Sequence, residues 1–285
     1  MANTIADKLT YLSGTKEAIK EAIIAKGVSV SDTDTFRSYA NKIEAIQAGG
    51  GGTTNIPDGT KFAYSTFTTV PDSIIPYLEQ QTDMYKMFSN CEKLQTVQLF
   101  DTSNVNDMSY MFSYCYSLQT IPLLNVSNVT NMNHMFYYCK KLQTVPLFDT
   151  SNVNDMVGMF LNCTSLTTVP QFDTANVINM NYMFSYCQSL TSVPLLNVSN
   201  VTDMGYMFNY CDSLTNLGGL TGLKMNLYLD NSPKLTVDSV MNVINNAADM
   251  TSEPKTLTLH QDVFNKLTQE QITTATSKGW NIAAA

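Results

Sequence analysis

The chain has 285 residues, of which only 14% are charged; Lys+Arg 16 against Asp+Glu 24 give a net charge of −8. Nucleic-acid binding needs clustered cations that displace phosphate counterions, so this balance argues against a nucleic acid as partner. No apolar run approaches the ~18–20 residues of a membrane-spanning helix, so membrane insertion is not expected. The opening MANTIADKLTYLSG lacks the basic and apolar segments of a secretory signal, so no export signal is predicted.

Residues 1–47 have the pattern of short amphipathic helices. Ile19 and Ile23 lie four residues apart in a segment that ends at Gly27, as on one face of a helix. So small a module buries little apolar surface by itself, so we expect it to oligomerise or to attach to another protein. The apolar residues expected to do so are Ile19, Ile23, Phe36, Tyr39, Ile43 and Ile46. The glycine run within 48–55 predicts a flexible linker.

Residues 84–217 repeat with a period of 24 residues. Each unit contains Met-x-x-Met-Phe-x-x-Cys-x-x-Leu, and the period is marked by Cys91, Cys115, Cys139, Cys163, Cys187 and Cys211. A fixed period of this length is the signature of a solenoid in which each unit stacks on its neighbours. Residues 56–83 precede the repeat without matching it, and we expect them to form an N-terminal cap.

The pattern within a unit predicts a short helix and a short strand. Apolar residues at i, i+3, i+6 and i+7 favour one face of a helix, as in Val105, Met108, Met111 and Phe112. A strand with its apolar side chains at Leu118, Ile121 and Leu123 follows. Proline recurs in the strand and cannot donate to a sheet, so strands of two or three residues are expected. The predicted fold is an α/β repeat solenoid.

The repeat period breaks after 217, and residues 218–285 predict an α/β C-terminal cap. Thr236 begins a predicted helix, Lys255–His260 a strand, and Thr268 with Gln271 forms a capping-box pattern that opens another helix. A last strand is predicted around Trp280.

The cysteine column and the acidic columns invite a metal reading. Zinc ligands occur in close clusters, whereas these cysteines are 24 residues apart, so we interpret them as small buried apolar residues. Calcium needs six to eight converging oxygens. Asn125 and Asn197 replace the acidic residue at the repeat position that Asp101 holds in its own unit. We therefore interpret the acidic residues as stabilising turns and helix N-termini. The invariant Asn column of Asn128 is expected inside the turn, bonded to the backbone of its own and the adjacent coil. No metal or cofactor site is predicted.

Two columns vary between units and are rich in aromatic residues, so we expect them to face solvent. Tyrosine offers a large amphipathic contact at low entropic cost, and these columns predict a ligand-binding face. Its residues are Tyr110, Tyr114, His134, Tyr138, Tyr182, Tyr186, Tyr206 and Tyr210. The alternative is that the rings only cover the edge of the core.

The repeat MFSYCYSLQTIPLLNVSNVTNM resembles the BspA-like leucine-rich repeats of bacterial surface proteins. The resemblance implies a leucine-rich-repeat-like solenoid that binds host surface molecules, without catalytic residues. The opening LSGTKEAIKEAIIAKGVSVSDTDTFRSYANKIEAI is similar to an N-terminal module of phage tail and fibre proteins, which implies attachment to a virion.

The sequence predicts a binding protein and not an enzyme, because no catalytic constellation interrupts the repeat. Our principal expectation is a phage head or tail fibre whose residues 1–47 attach to other virion proteins while the solenoid binds or decorates toward a host glycan or protein. A homo-oligomer is expected, with a trimer as one candidate. The alternatives are a BspA-like adhesin at the bacterial cell surface and a purely structural virion spacer or decoration protein.

Overall fold

A computed structural model describes residues 61–285, and it divides the chain into two compact units. One unit comprises 1–60 and 70–78, and its described part is a 3₁₀ turn at Asp72–Ile74 followed by helix α1, Ile75–Leu78. The other comprises 61–69 and 79–285 and contains the whole repeat. The domain boundaries predicted at 47, 55 and 83 stay predictions.

The repeat forms a parallel solenoid with a 24-residue step, as predicted. Equivalent residues of successive coils pair in parallel along one column: Asp83, Asp107, Asn131, Asp155, Asn179 and Asp203. Within the repeat, all of which the structure describes, regular strands occur only in the last coils. There β1, Ser192–Val193, pairs with β3, Asn216–Leu217, and β2, Leu196–Asn197, pairs with β4, Leu220–Thr221. Each has two residues, as the recurring proline led us to expect.

The prediction of a short helix in each coil is wrong, because the backbone there forms turns instead. The segment from Met180 to Cys187 is a run of tight turns, in which the amides of Met183, Ser185 and Cys187 donate to the carbonyls three residues earlier. An α-helix would have used carbonyls four residues earlier. The apolar spacing fits both structures, because the turns also place Met180, Met183 and Phe184 in the interior.

The core consists of the invariant columns. The Met, Phe, Cys and Leu side chains are almost wholly buried in every coil, and the phenylalanine rings stack at centroid distances of 5.6–5.9 Å. The inward position predicted for Leu123 is wrong, since its side chain is 60% exposed while Leu124 is buried. The chain turns sharply at Pro122, whose carbonyl accepts the amide of Leu124 at 2.9 Å.

The polar columns form the hydrogen bonds of the corners. The Asn128 side chain donates to the Ser103 carbonyl of the preceding coil at 2.7 Å, and Asn152, Asn176 and Asn200 repeat this contact. These asparagines bridge adjacent coils as expected, but they lie on the outside of the corner rather than inside it. Asp101 and Asp107 accept amides two residues later, which is the predicted turn chemistry.

The C-terminal cap follows the predicted order. A parallel sheet contains β5, Leu227–Leu229, then β6, Lys255–Leu259, and β7, Trp280–Ala284. The helices are α2, Val237–Asn246, a short α3, Gln261–Phe264, and α4, Gln269–Ser277. Thr268 and Gln271 complete the capping box of α4. None of the helices in the described part of the chain is long and apolar enough to cross a membrane.

Candidate functional site

Both aromatic columns occupy special backbone positions of the turns. All twelve residues of the two columns have positive φ angles, between +53° and +63°. The eight predicted ligand-binding residues are all among them: Tyr110, Tyr114, His134, Tyr138, Tyr182, Tyr186, Tyr206 and Tyr210. Type II turns require this conformation at their third residue and favour Gly or Asn there, which is what the chain has at Asn90, Gly158 and Asn162.

Hydrogen bonds between coils hold the columns in register. The amides of Tyr182, Phe184 and Tyr186 donate to carbonyls of the next coil at 2.7–3.0 Å. Amides that point between coils thus alternate with amides that close turns within a coil. Every side chain of a column therefore stands directly beside its equivalent in the next coil, and the aromatic rings stack.

Gly158 and Asn162 lie in the same coil and interrupt both columns. The first aromatic patch lies before this coil and consists of Tyr110, Tyr114, His134 and Tyr138; the second aromatic patch lies after it and consists of Tyr182, Tyr186, Tyr206 and Tyr210. The structure thus brings the predicted residues together as two groups of four rather than as one continuous face.

The first aromatic patch is closely packed. The rings of Tyr110 and His134 stack at 4.7 Å, and those of Tyr114 and Tyr138 at 5.2 Å. Tyr137, from a neighbouring column, meets three of these four rings edge-on at 4.6–5.2 Å. The Nζ atom of Lys140 lies 5.5 Å from the Tyr138 ring centroid, and that of Lys86 lies 5.5 Å from that of Tyr110. All four members are half-buried.

Burial sets the proton affinities in the first aromatic patch. It lowers the pKa of His134, which Asp155 opposes only in part, so the imidazole favours its neutral form. Burial likewise raises the pKa of Tyr110 and of Tyr137, so both phenols are neutral. The neutral rings of His134, Tyr110 and Tyr137 and the adjacent lysines thus make an amphipathic surface.

The second aromatic patch is more exposed and has fewer ring contacts. Tyr182 stacks on Tyr206 at 5.1 Å and Tyr186 on Tyr210 at 4.6 Å. The exposed fractions of these four residues run from 37% to 57%. At its end, Tyr206 lines a pocket of about 360 Å³ together with Gly205, Asn209, Tyr228 and Asp230.

The sequence analysis did not single out four of the five pocket residues, which are Gly205, Asn209, Tyr228 and Asp230. Tyr228 and Asp230 belong to β5 and the residue after it, outside the repeat, and only the fold places them beside the last coil. A signal existed in Gly205, which breaks a column that holds Asn133, Val157 and Asn181 in earlier coils. The residues predicted for attachment, Ile19, Ile23, Phe36, Tyr39, Ile43 and Ile46, lie outside the described residues.

The cysteines face the interior. The Sγ atoms of Cys115, Cys139, Cys163, Cys187 and Cys211 each donate to a phenylalanine carbonyl of the preceding coil at 3.1–3.2 Å. Burial holds the pKa of Cys139 and of Cys187 well above the ordinary thiol value, so these sulfurs are neutral and inert. Among residues 61–285, no three His, Cys, Asp or Glu side chains are grouped to hold a metal ion.

The repeat region matches one protein family. Residues 82–195 and 140–220 match the family model described as Mycoplasma protein of unknown function, DUF285. Together the two matches span a little under half of the chain. A search of curated proteins gives no match. The comparisons give no support for the phage-type module expected in residues 1–47, and that expectation stays a prediction.

Solved structures with similarity to this chain include bacterial leucine-rich repeat proteins. One from Eubacterium ventriosum is 25% identical over 55% of this chain and 38% of its own, with a TM-score of 0.37. Those from T. pallidum and Bacteroides ovatus are 20% and 15% identical over 70% of this chain, covering 78% and 54% of theirs, with TM-scores of 0.36 and 0.31. The chain thus spans well under half of the first. At these TM-scores the assignment of a solenoid rests on the hydrogen bonds between its own coils.

Proposed function

We propose that this chain is a non-enzymatic binding protein of the bacterial surface, an adhesin whose solenoid presents the two aromatic patches to a ligand. The observation that carries the proposal is the backbone beneath the rings. A left-handed conformation costs a residue with a side chain roughly 1–2 kcal/mol, and the solenoid uses it for seven tyrosines and one histidine. Asn90, Gly158 and Asn162 show that the same turns can be built with residues that adopt this conformation easily.

Strained backbone persists where a function benefits from it, and it is concentrated at binding and active sites. Here the strain places rings on the outside of the solenoid, where they contribute little to the core. Tyrosine-rich surfaces of this kind contribute to binding affinity through rigid, amphipathic contacts with the ligand. The proposal assigns binding rather than catalysis to the rings, since no group of catalytic side chains accompanies them among the described residues.

The bacterial cell surface is favoured over a virion by the family match. The matched family is described as a Mycoplasma protein, which is a bacterial protein and not a virion protein. The phage-fibre interpretation rests chiefly on residues 1–47, outside the matched repeat, so the adhesin interpretation fits the repeat region at least as well.

The proposal is tested with the purified full-length chain on beads, incubated with intact bacterial and epithelial cells. We expect retention of one cell type, and a loss of at least about tenfold when Tyr182, Tyr186, Tyr206 and Tyr210 are all replaced by Asn. Asn is chosen because it tolerates the left-handed backbone.

The matched control replaces the exposed leucines Leu123 and Leu147, which lie outside both aromatic columns, by Asn. This variant should adhere like the unmodified chain. Equal adhesion of the four-tyrosine variant and the control would refute the proposed site. Localisation by antibody on producing cells and on phage particles from the same culture separates the adhesin from the virion fibre.

A further inference from the structure

The pocket between the last coil and the cap has the features of a small-ligand site. Its volume of about 360 Å³ lies at the lower end of the ~300–1,000 Å³ of ligand clefts. It opens because Gly205 has no side chain, whereas the equivalent position of the preceding coil carries the side chain of Asn181. Tyr206 and Tyr228 line the pocket and are 57% and 52% exposed.

The last coil leaves backbone donors unused at this place. In the preceding coil, the amides of Met180, Tyr182, Phe184 and Tyr186 all donate to carbonyls of the next coil. Among the described residues, no acceptor is found for the equivalent amides of the last coil, which are those of Met204, Tyr206, Phe208 and Tyr210. β5 instead pairs with β6 on its other side. Of these four residues, Tyr206 lines the pocket, so its amide is available there to a ligand or to water.

Acceptors also converge on the pocket. Asp230 lines it with a carboxylate and Asn209 with an amide. The site therefore combines two aromatic rings with both donors and acceptors of hydrogen bonds.

This combination selects a neutral carbohydrate. Sugar hydroxyls both donate and accept, so one ring can serve the Tyr206 amide and the side-chain oxygens of Asn209 and Asp230 together, while the apolar face of the sugar packs on tyrosine. Of the described residues that line the pocket, none is Lys or Arg and one is Asp230, which disfavours an acidic sugar. A pocket of this size suits one or two sugar rings better than an extended peptide, which needs a long groove.

We propose that the pocket formed by Gly205, Tyr206, Asn209, Tyr228 and Asp230 binds a neutral hexose unit of a glycan. The inference rests on the proposed binding function and names its ligand class. The tyrosine stack of Tyr182 and Tyr206 leads directly to this pocket, so a longer glycan can continue along the second aromatic patch.

The test uses saturation-transfer NMR on the full-length chain with glucose, galactose, mannose, N-acetylglucosamine and sialic acid as separate probes. We expect at least one neutral sugar to bind with a Kd on the order of 1 mM, as small ligands with few contacts do, and sialic acid to give no transfer. Tyr228→Ala and Asp230→Asn should each weaken this binding by about tenfold or more.

Tyr114→Asn, in the first aromatic patch, is the matched control and should bind the sugar unchanged. Gly205→Val should also abolish binding, because valine already occupies this column at Val157 and is compatible with the fold. Each variant is checked for an unchanged thermal transition. No transfer from any neutral sugar, or equal transfer for Tyr228→Ala and the unmodified chain, would overturn the inference, as would preferential binding of an unstructured peptide.

Failure of this inference and failure of the proposed function are distinguishable. Cell adhesion that needs the second aromatic patch but not Tyr228 or Asp230 leaves the adhesin proposal standing and removes the sugar pocket. Sugar binding without cell adhesion leaves the sugar pocket standing and removes the adhesin proposal.

Discussion

The two aromatic patches share one backbone and differ in what surrounds it. The φ angles lie between +53° and +60° in the first aromatic patch and between +54° and +59° in the second. In the first, Tyr137 packs against the rings; in the second, the equivalent positions hold Ser185 and Asn209. The neighbouring columns, and not the turns themselves, therefore decide whether a tyrosine is half-buried or open to a ligand.

If the two aromatic patches differ only in their surface contacts, the core beneath each patch should contribute equally to the stability of the fold. Phe112 and Phe184 are both fully buried, and each stacks on two other rings at 5.6–5.9 Å. We expect Phe112→Ala and Phe184→Ala each to lower the free energy of unfolding by about 3–5 kcal/mol, as measured by urea denaturation followed by circular dichroism. Costs that differ by more than ~1 kcal/mol would place part of the contrast in the core.

The coil that separates the patches offers the next test. Gly158 has a φ of +55°, and a Cβ there would stand 2.8 Å from the His134 Nε2 atom. Gly158→Ala should therefore lower the free energy of unfolding by about 1–3 kcal/mol, through the left-handed backbone and the close contact. A double-mutant cycle with His134→Ala separates the two causes, because its coupling energy reports the contact between the two side chains and cancels the other contacts of His134. Strict additivity would show that the ring of His134 moves aside without cost.

The parts of the fold that could be predicted from the sequence are those in which the same residue type recurs in every coil. A residue type that recurs in every coil, such as the cysteine column, must satisfy the same environment each time, so the core columns and the 24-residue step followed. The turns did not follow, because apolar residues at Met108, Met111 and Phe112 have the same spacing in a helix. The sequence signal that favours turns over a helix was weak, because Asn90, Gly158 and Asn162 indicate a positive φ only when equivalent positions of the two columns are compared between coils.

The same reasoning reaches the candidate site only in part. Variation between coils indicated the tyrosine columns, because side chains that face solvent are free to differ. The pocket was missed because Tyr228 and Asp230 belong to the cap, which no repeat describes. Their approach to Tyr206 depends on how β5 follows the last coil without completing its hydrogen bonds.

Replacing one tyrosine in each patch tests the contrast at the surface. Tyr138 contacts three aromatic rings and Lys140, whereas the only ring among the described residues that Tyr210 contacts is that of Tyr186. Tyr138→Asn should lower the free energy of unfolding by about 1–2 kcal/mol and Tyr210→Asn by less than ~0.5 kcal/mol. Asn is the native residue of this column at Asn90 and Asn162, so the backbone stays unchanged. Equal losses in urea denaturation would mean that the two patches are packed alike.

The smallest effect expected is a pH dependence confined to the first aromatic patch. Burial lowers the pKa of His134 in the folded chain, so the unfolded chain binds this proton more tightly. The stabilisation that the neutral imidazole contributes is complete above the ordinary histidine pKa of about 6.5 and is lost as the pH falls through the lower, folded value.

Melting temperatures measured from about pH 7.5 to about pH 5 should therefore fall further for the unmodified chain than for His134→Asn. Asp155 faces His134 and opposes the shift only in part, so the difference keeps this sign. Carboxylates titrate in both proteins and cancel in the comparison. His260→Asn serves as the control, because that histidine caps α3 in the C-terminal region. A steeper fall in His134→Asn would require that the ring be protonated in the folded state, and the first aromatic patch would then carry a cation and recognise a different class of ligand.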